Sequence, residues 1–227
     1  MYNIKNSIKT LLEKVAIYMH GYSNLSKNYI PVPADGGLYY RDGILFNIDN
    51  MLVLTLTAYN DYNSIDILPT DIVLDIGACT GGFSLQAAKK AKHVFSVEPF
   101  YIEALRKNIE LNKLSNITLI ESALGLKNQK CEFGKPSKMV EFGKCLKVVD
   151  FISFQEILNL CGGHVDFLKI DCEGGEWTLT SNDLKGIRRI EAEIHEIGGY
   201  KIKDFLKLLD DAGFKYTVNK PIIHATC

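Results

Sequence analysis

The chain has 227 residues, 47% hydrophobic and 23% charged, enough to bury one α/β domain with a small appendage and too few for a second full domain. Its 26 basic and 27 acidic residues leave a formal charge of −1, which excludes a global basic field able to hold a polyphosphate partner. The six cysteines (Cys79, Cys131, Cys145, Cys161, Cys172 and Cys227) form no C-x-x-C pair and several interrupt apolar runs, so they read as mostly buried thiols of a reducing compartment.

The first stretch, MYNIKNSIKTLLEKVAIYMH, places Ile4, Ile8, Leu11, Leu12, Val15 and Met19 on one face of an amphipathic helix that ends near Gly21. It lacks the continuous apolar run and cleavage site of a signal peptide, and no segment approaches the ~20 apolar residues of a membrane span, so a cytoplasmic protein is expected. The connector SNLSKNYIPVPADGG, with two prolines and paired glycines, reads as a loop. GLYYRDGILFNI reads as a hairpin turning at Arg41-Asp42-Gly43, and a further helical stretch covers Met51 to Tyr62.

From Asp71 the period changes. Strands are expected at DIVLDIG, HVFSVEP, NITLIESAL, VDFLKID and RRIEAEIH. Helices are expected between them, over Gly82 to Lys90, Tyr101 to Lys113, Ser153 to Leu160, Glu176 to Asp183 and Lys203 to Ala212. Near-continuous apolar strands alternating with helices imply a parallel sheet covered on both faces. FKYTV and IIHATC close the chain, joined by so short a link that they must be antiparallel. The expected fold is therefore α/β: a Rossmann-like methyltransferase fold, with a mostly parallel seven-stranded sheet and a C-terminal antiparallel hairpin. Residues 1–62 form a helical and hairpin extension that roofs the substrate pocket, and residues 63–227 form the cofactor-binding domain.

The strongest local signal is VLDIGACTGGFSLQAA, where a buried strand ends in Asp75, turns through Gly77, Ala78 and Gly81, and opens a helix. The turn lies at the carboxyl end of a strand, where open α/β sheets bind ligands, and its glycines tolerate positive φ and close approach. A dinucleotide fingerprint needs G-x-G-x-x-G, and the second glycine position here is Cys79. S-adenosylmethionine has no phosphate and carries an ammonium, which suits Asp75. Glu98, at the end of the next strand about 20 residues on, is placed to accept hydrogen bonds from ribose hydroxyls, with Pro99 fixing the exit. Ser122 and Ala123, just after the third strand, would border the adenine.

These residues resemble the FkbM-type methyltransferases. That family carries a D-I-G-A-N-x-G turn, a V-x-x-E-P strand end, an N-I-x-L-N helix, an L-K-I-D-x-E-G-x-E segment and an E-x-H strand. The chain reads DIGACTG, SVEP, NIELN, LKIDCEGGEW and EAEIH in that order, departing at Cys79 where the family usually has asparagine. The resemblance implies O-methyl transfer to a hydroxyl of a sugar, polyketide or other small metabolite. The residues themselves put Asp171 at the end of the fourth strand, Glu173 in the turn beyond it and His195 at the end of the fifth. All three are candidates for removing a hydroxyl proton. Lys169 points to the same face as Asp171 and is expected to pair with it. No metal is expected, because two carboxylates flanking Cys172 make a thin ligand set for a hard ion.

Two rivals bear on function. Lys169, Asp171 and Glu193 loosely resemble the set of a ribose 2′-O-methyltransferase, yet no basic stripe accompanies them, so nucleic acid is not the expected partner. A non-catalytic protein that binds S-adenosylmethionine is the other, against which Asp171, Glu173 and His195 argue.

Overall fold

The computed structural model describes residues 32–33, 38–41, 43–47, 62–126, 131–132, 148–219 and 221–227. The expected N-terminal helix lies outside them, as does the stretch from Met51 except Tyr62. Among the described residues no helix is long and apolar enough to cross a membrane.

Seven strands form the main sheet: β1 (Ile72–Ile76), β2 (His93–Val97), β3 (Ile117–Ile120), β4 (Phe167–Ile170), β5 (Arg189–Glu193), β6 (Lys215–Asn219) and β7 (Ile222–Thr226). Their spatial order is β6-β7-β5-β4-β1-β2-β3, and β7 alone runs against its neighbours. This is the expected seven-stranded sheet with its antiparallel C-terminal hairpin. The order of the strands reverses beside β1, whose carboxyl end therefore opens into a crevice.

Among the described residues four helices cover the sheet: α1 (Gly82–Ala88), α2 (Ile102–Leu111), α3 (Phe154–Leu160) and α4 (Ile202–Asp211). Leu74, Ile76, Leu168, Ile170, Ile190 and Ala192 pack on Phe154 and Ile157 of α3 and on Phe205 and Leu209 of α4. The alternate residues Val73, Val94 and Phe167 pack on Phe83, Ala87 and Ala88 of α1, with Tyr62 and Ile67 beside them. Helix α3 begins cleanly because Ser153 and Glu156 form a reciprocal capping box.

Two expectations need correction. Glu176 to Asp183 does not continue as a helix: one 3-10 turn, Gly175–Thr178, is followed by turns. The two glycines before it, and a carboxylate drawn inward at Glu176, leave no helical stripe to propagate. The connector is not all loop either, since Val32–Pro33 pairs antiparallel with Tyr39 and Tyr40.

The hairpin is present, with Leu38–Arg41 paired to Ile44–Asn47 across a two-residue link in which Gly43 has φ 78°. It docks on α2 through two asparagines one turn apart, both from the NIELN stretch. Asn112 exchanges two bonds with the Leu45 backbone (2.8 and 2.7 Å), and Asn108 accepts from the Asn47 amide at 2.8 Å. Asn108, fully buried, also donates to the Thr80 carbonyl at 2.8 Å. The side chains thus stand in for a neighbouring strand and tie the hairpin to the glycine turn.

Candidate active site

The turn after β1 is shaped by its neighbours. Gly77 has φ 81°, and a Cβ there would lie 1.7 Å from the Asp171 carbonyl oxygen. The close approach is therefore to the end of β4, and it sets the glycine turn against the candidate reaction centre backbone to backbone. Gly81, at φ 98°, makes room for Leu105 of α2, and Ala78 is buried with its amide on the Val97 carbonyl. Cys79 has φ 51°, a left-handed conformation that asparagine adopts more readily than cysteine.

Asp75 does not face the turn. It is fully buried, accepts the Ser84 hydroxyl at 2.5 Å, and lies 3.1 Å from Lys169 Nζ. Parallel register puts Lys169 directly opposite Asp75 on one side and Glu191 on the other. The expected Lys169–Asp171 pair is thus replaced by Lys169–Asp75, because the side chain crosses to the adjacent strand. Lys169 also donates to the Gly77 carbonyl at 2.8 Å and is 1% exposed. Burial lowers its proton affinity, but the carboxylates of Asp75 and Asp171 more than offset this and hold its pKa above the ordinary value. It is a strut under the turn and has no access to a substrate.

Glu98 is 4% exposed at the end of β2. Its Oε1 accepts the amides of Phe100 (2.6 Å) and Tyr101 (2.9 Å), and Oε2 accepts that of Cys79 (2.7 Å). Burial raises its pKa, opposed in part by those three bonds and by Lys169. The carboxylate clasps the glycine turn to the exit of β2, past the partly exposed Pro99, and three bonds leave it about one acceptor position from the roughly four a carboxylate offers. Ser122 and Ala123, both partly exposed, follow β3 on the same edge of the sheet. The donor set fits a cationic nucleoside: an acceptor carboxylate stands beside the turn, and residues 77–82 contain no lysine or arginine for a diphosphate.

The second cluster surrounds His195, just beyond β5. Its Nδ1 lies 3.3 Å from Glu176 Oε1, which also accepts the His195 amide at 2.9 Å. Its Nε2 faces Glu173 Oε2 at 3.5 Å, Asp171 Oδ1 at 3.8 Å and Glu193 Oε1 at 4.0 Å. Burial works to lower the imidazole pKa, but the Glu176 bond and the charges of Glu173 and Asp171 raise it to about 9. His195 is consequently an imidazolium at neutral pH. Asp171, Glu173 and His195 bring one oxygen or nitrogen each to within 4.8 Å of one another. A metal held by these three would have to displace the imidazolium proton. Glu173 holds its place at φ 56°, strain of the kind that collects at functional sites.

Two members of this cluster, Glu176 and Tyr62, escaped the expected site. Glu176 is fully buried and also accepts the Gly174 amide at 2.8 Å and the Cys172 thiol at 3.4 Å. Burial would raise its pKa, yet the bonds from His195 hold it below the ordinary value. Tyr62 Oη lies 3.0 Å from Asp171 Oδ2 and 3.1 Å from Glu193 Oε2. Glu193 shares a strand face with Glu191, which alternation does reveal; Tyr62 left no sequence signal, being more than 100 residues from its partners. Trp177 packs edge-on to Phe205, stacks on Tyr200 and donates to the His195 carbonyl at 2.8 Å.

The crystal structure of methyltransferase FkbM from Methylobacillus flagellatus has the same fold, with a TM-score of 0.51 and 16% identity over 79% of this chain and 56% of that one. Protein MJ1452 of Methanocaldococcus jannaschii is 39% identical over 62 residues, 26% of this chain and 24% of that one. The 23S rRNA (uracil(1939)-C(5))-methyltransferase RlmD of Klebsiella pneumoniae is 42% identical over 62 residues, 26% of this chain and 14% of that one. The chain thus spans about a quarter or less of the length of these two relatives. The family model for the methyltransferase FkbM domain matches residues 75–216, more than half of the chain. The chain belongs to the FkbM methyltransferase domain family, and its cofactor is S-adenosylmethionine.

Proposed function

We propose that this chain is a methyltransferase that alkylates a hydroxyl of a small molecule or glycan. The observation that carries the reading is the contact of Gly77 with the end of β4, which sets Asp171 beside the cofactor turn. S-adenosylmethionine supplies an electrophilic methyl group. Glu98, Gly77, Ala78, Ser122 and Ala123 line its cradle; Gly81 serves by packing and Pro99 by fixing the strand exit.

Alkylating a hydroxyl requires a proton acceptor. Asp171, 26% exposed, with Oδ1 3.8 Å from His195 Nε2 and Oδ2 on the Tyr62 hydroxyl, takes the proton. His195 is already protonated at neutral pH, so its part is to balance the carboxylates and orient Asp171 and Glu173. Turnover of labelled cofactor against a panel of glycans, hydroxylated metabolites and RNA tests the reading. Label in a small hydroxyl compound or glycan supports it, and label in RNA alone overturns it.

RNA is the second reading, favoured by the rRNA methyltransferase segment match. Four carboxylates around His195 oppose it, since they repel phosphates. C5 methylation would need a nucleophilic cysteine, whereas Cys172 donates to Glu176 and burial pushes its thiol pKa well up.

A further inference from the structure

We propose that Tyr62 is a positioning residue whose single phenolic hydrogen couples Asp171 to Glu193. The proposal rests on Asp171 as the proton acceptor. Tyr62 lies ahead of the family-matched stretch, on the segment that leads into β1, and is 3% exposed. Its ring is set independently of its hydroxyl. The edge meets Phe83 at 6.2 Å between centroids, Lys169 Nζ stands 5.0 Å from the ring centre, and the next amide, Asn63, donates to Glu191 at 3.0 Å.

Two carboxylate oxygens at 3.0 and 3.1 Å compete for one hydrogen. A phenol donates to one of them at a time, and the other must then carry a proton or face the oxygen lone pairs. Ionisation of the phenol is no way out: burial, then the charges of Asp171 and Glu193, raise its pKa well above the ordinary value. The hydrogen goes to Asp171 Oδ2, the nearer of the two oxygens, while Asp171 is ionised. When Asp171 takes the acceptor's proton on Oδ1, the O–H turns to Glu193. No bond to the phenol breaks, and the proton count changes only at Asp171. The arrangement stabilises ionised Asp171 before the reaction and leaves no buried hydroxyl unsatisfied after it.

The test reads Asp171 directly and needs no acceptor. The carboxyl of Asp171 is followed by carbon-13 NMR across pH in aspartate-labelled protein, its signal assigned by loss in Asp171→Asn. Lys169, Glu173, Glu193 and His195 also face this carboxyl and are retained in Tyr62→Phe. That variant loses the donor, so Asp171 should titrate at higher pH than in the wild type. Glu193→Gln removes a like charge and leaves the phenol to Asp171, so titration should move to lower pH. Turnover of Tyr62→Phe should fall by about 10- to 100-fold with cofactor affinity kept. Opposite shifts in the two variants support the coupling, which a merely structural tyrosine would not give. Coincident titrations in all three proteins overturn it, and should Tyr62→Phe fail to fold, an unmoved Glu193→Gln does so alone. Wild-type turnover in Asp171→Asn would instead defeat the assignment of Asp171.

Discussion

Lys169 and Asp75 stand opposite each other in neighbouring parallel strands, 3.1 Å apart and 1% and 0% exposed. The pair belongs to a polar row that crosses the sheet from Ser96 through Asp75, Lys169 and Glu191 to His224. A lone buried charge is far costlier than a pair. Lys169→Met should therefore destabilise the protein by about 3–5 kcal/mol in urea unfolding. Lys169→Met with Asp75→Leu should recover most of the loss. A Lys169→Met protein of wild-type stability would remove the strut from the account.

Glu98 holds the glycine turn, and in the proposed site its remaining acceptor position meets the cofactor. Glu98→Gln keeps the shape and loses one acceptor. Binding of S-adenosylhomocysteine should weaken by about 1.5–3 kcal/mol in calorimetry, the scale for hydrogen bonds to a charged group. Unchanged affinity in a folded variant would limit Glu98 to clasping the turn.

The His195–Glu176 pair predicts a pH window. His195 is raised to about 9, so its stabilisation is complete below its unfolded pKa of about 6.5 and is lost as pH rises through about 9. Glu176 is lowered, so its share is present above its unfolded value near 4.5 and is lost as pH falls through the folded one. The stability difference between wild type and His195→Gln should peak between about pH 5 and 6.5 and shrink towards pH 10. A difference that grows above pH 8 would contradict the imidazolium.

An imidazolium also makes a poor metal ligand. Chelation with EDTA should leave turnover unchanged. Loss of activity restored by magnesium would reassign Asp171, Glu173 and His195 as a metal centre.

Much of this was legible in the sequence because strand–helix alternation and the glycine turn are local patterns. Alternation along VDFLKID and RRIEAEIH puts the right residues on the right faces, and the strand ends bearing Glu98, Asp171 and His195 gather as expected. Direction across the sheet is not local. Lys169 shares a face with both Asp171 and Asp75, and only the β4–β1 register decides between them. Asp75 likewise looks like a ligand contact until the neighbouring strand takes it up. Glu176 was hidden because a helix was read where two glycines permit only a turn, and Tyr62 because its partners lie on distant strands.

In the proposed mechanism Asp171 takes a hydroxyl proton beside the bound cofactor. Asp171→Asn is isosteric and cannot accept that proton, so labelled-methyl turnover should fall about 10²–10⁴-fold. Affinity for S-adenosylhomocysteine should stay at the wild-type value. Wild-type turnover in a folded Asp171→Asn protein, on the same acceptor and at the same pH, would contradict the account.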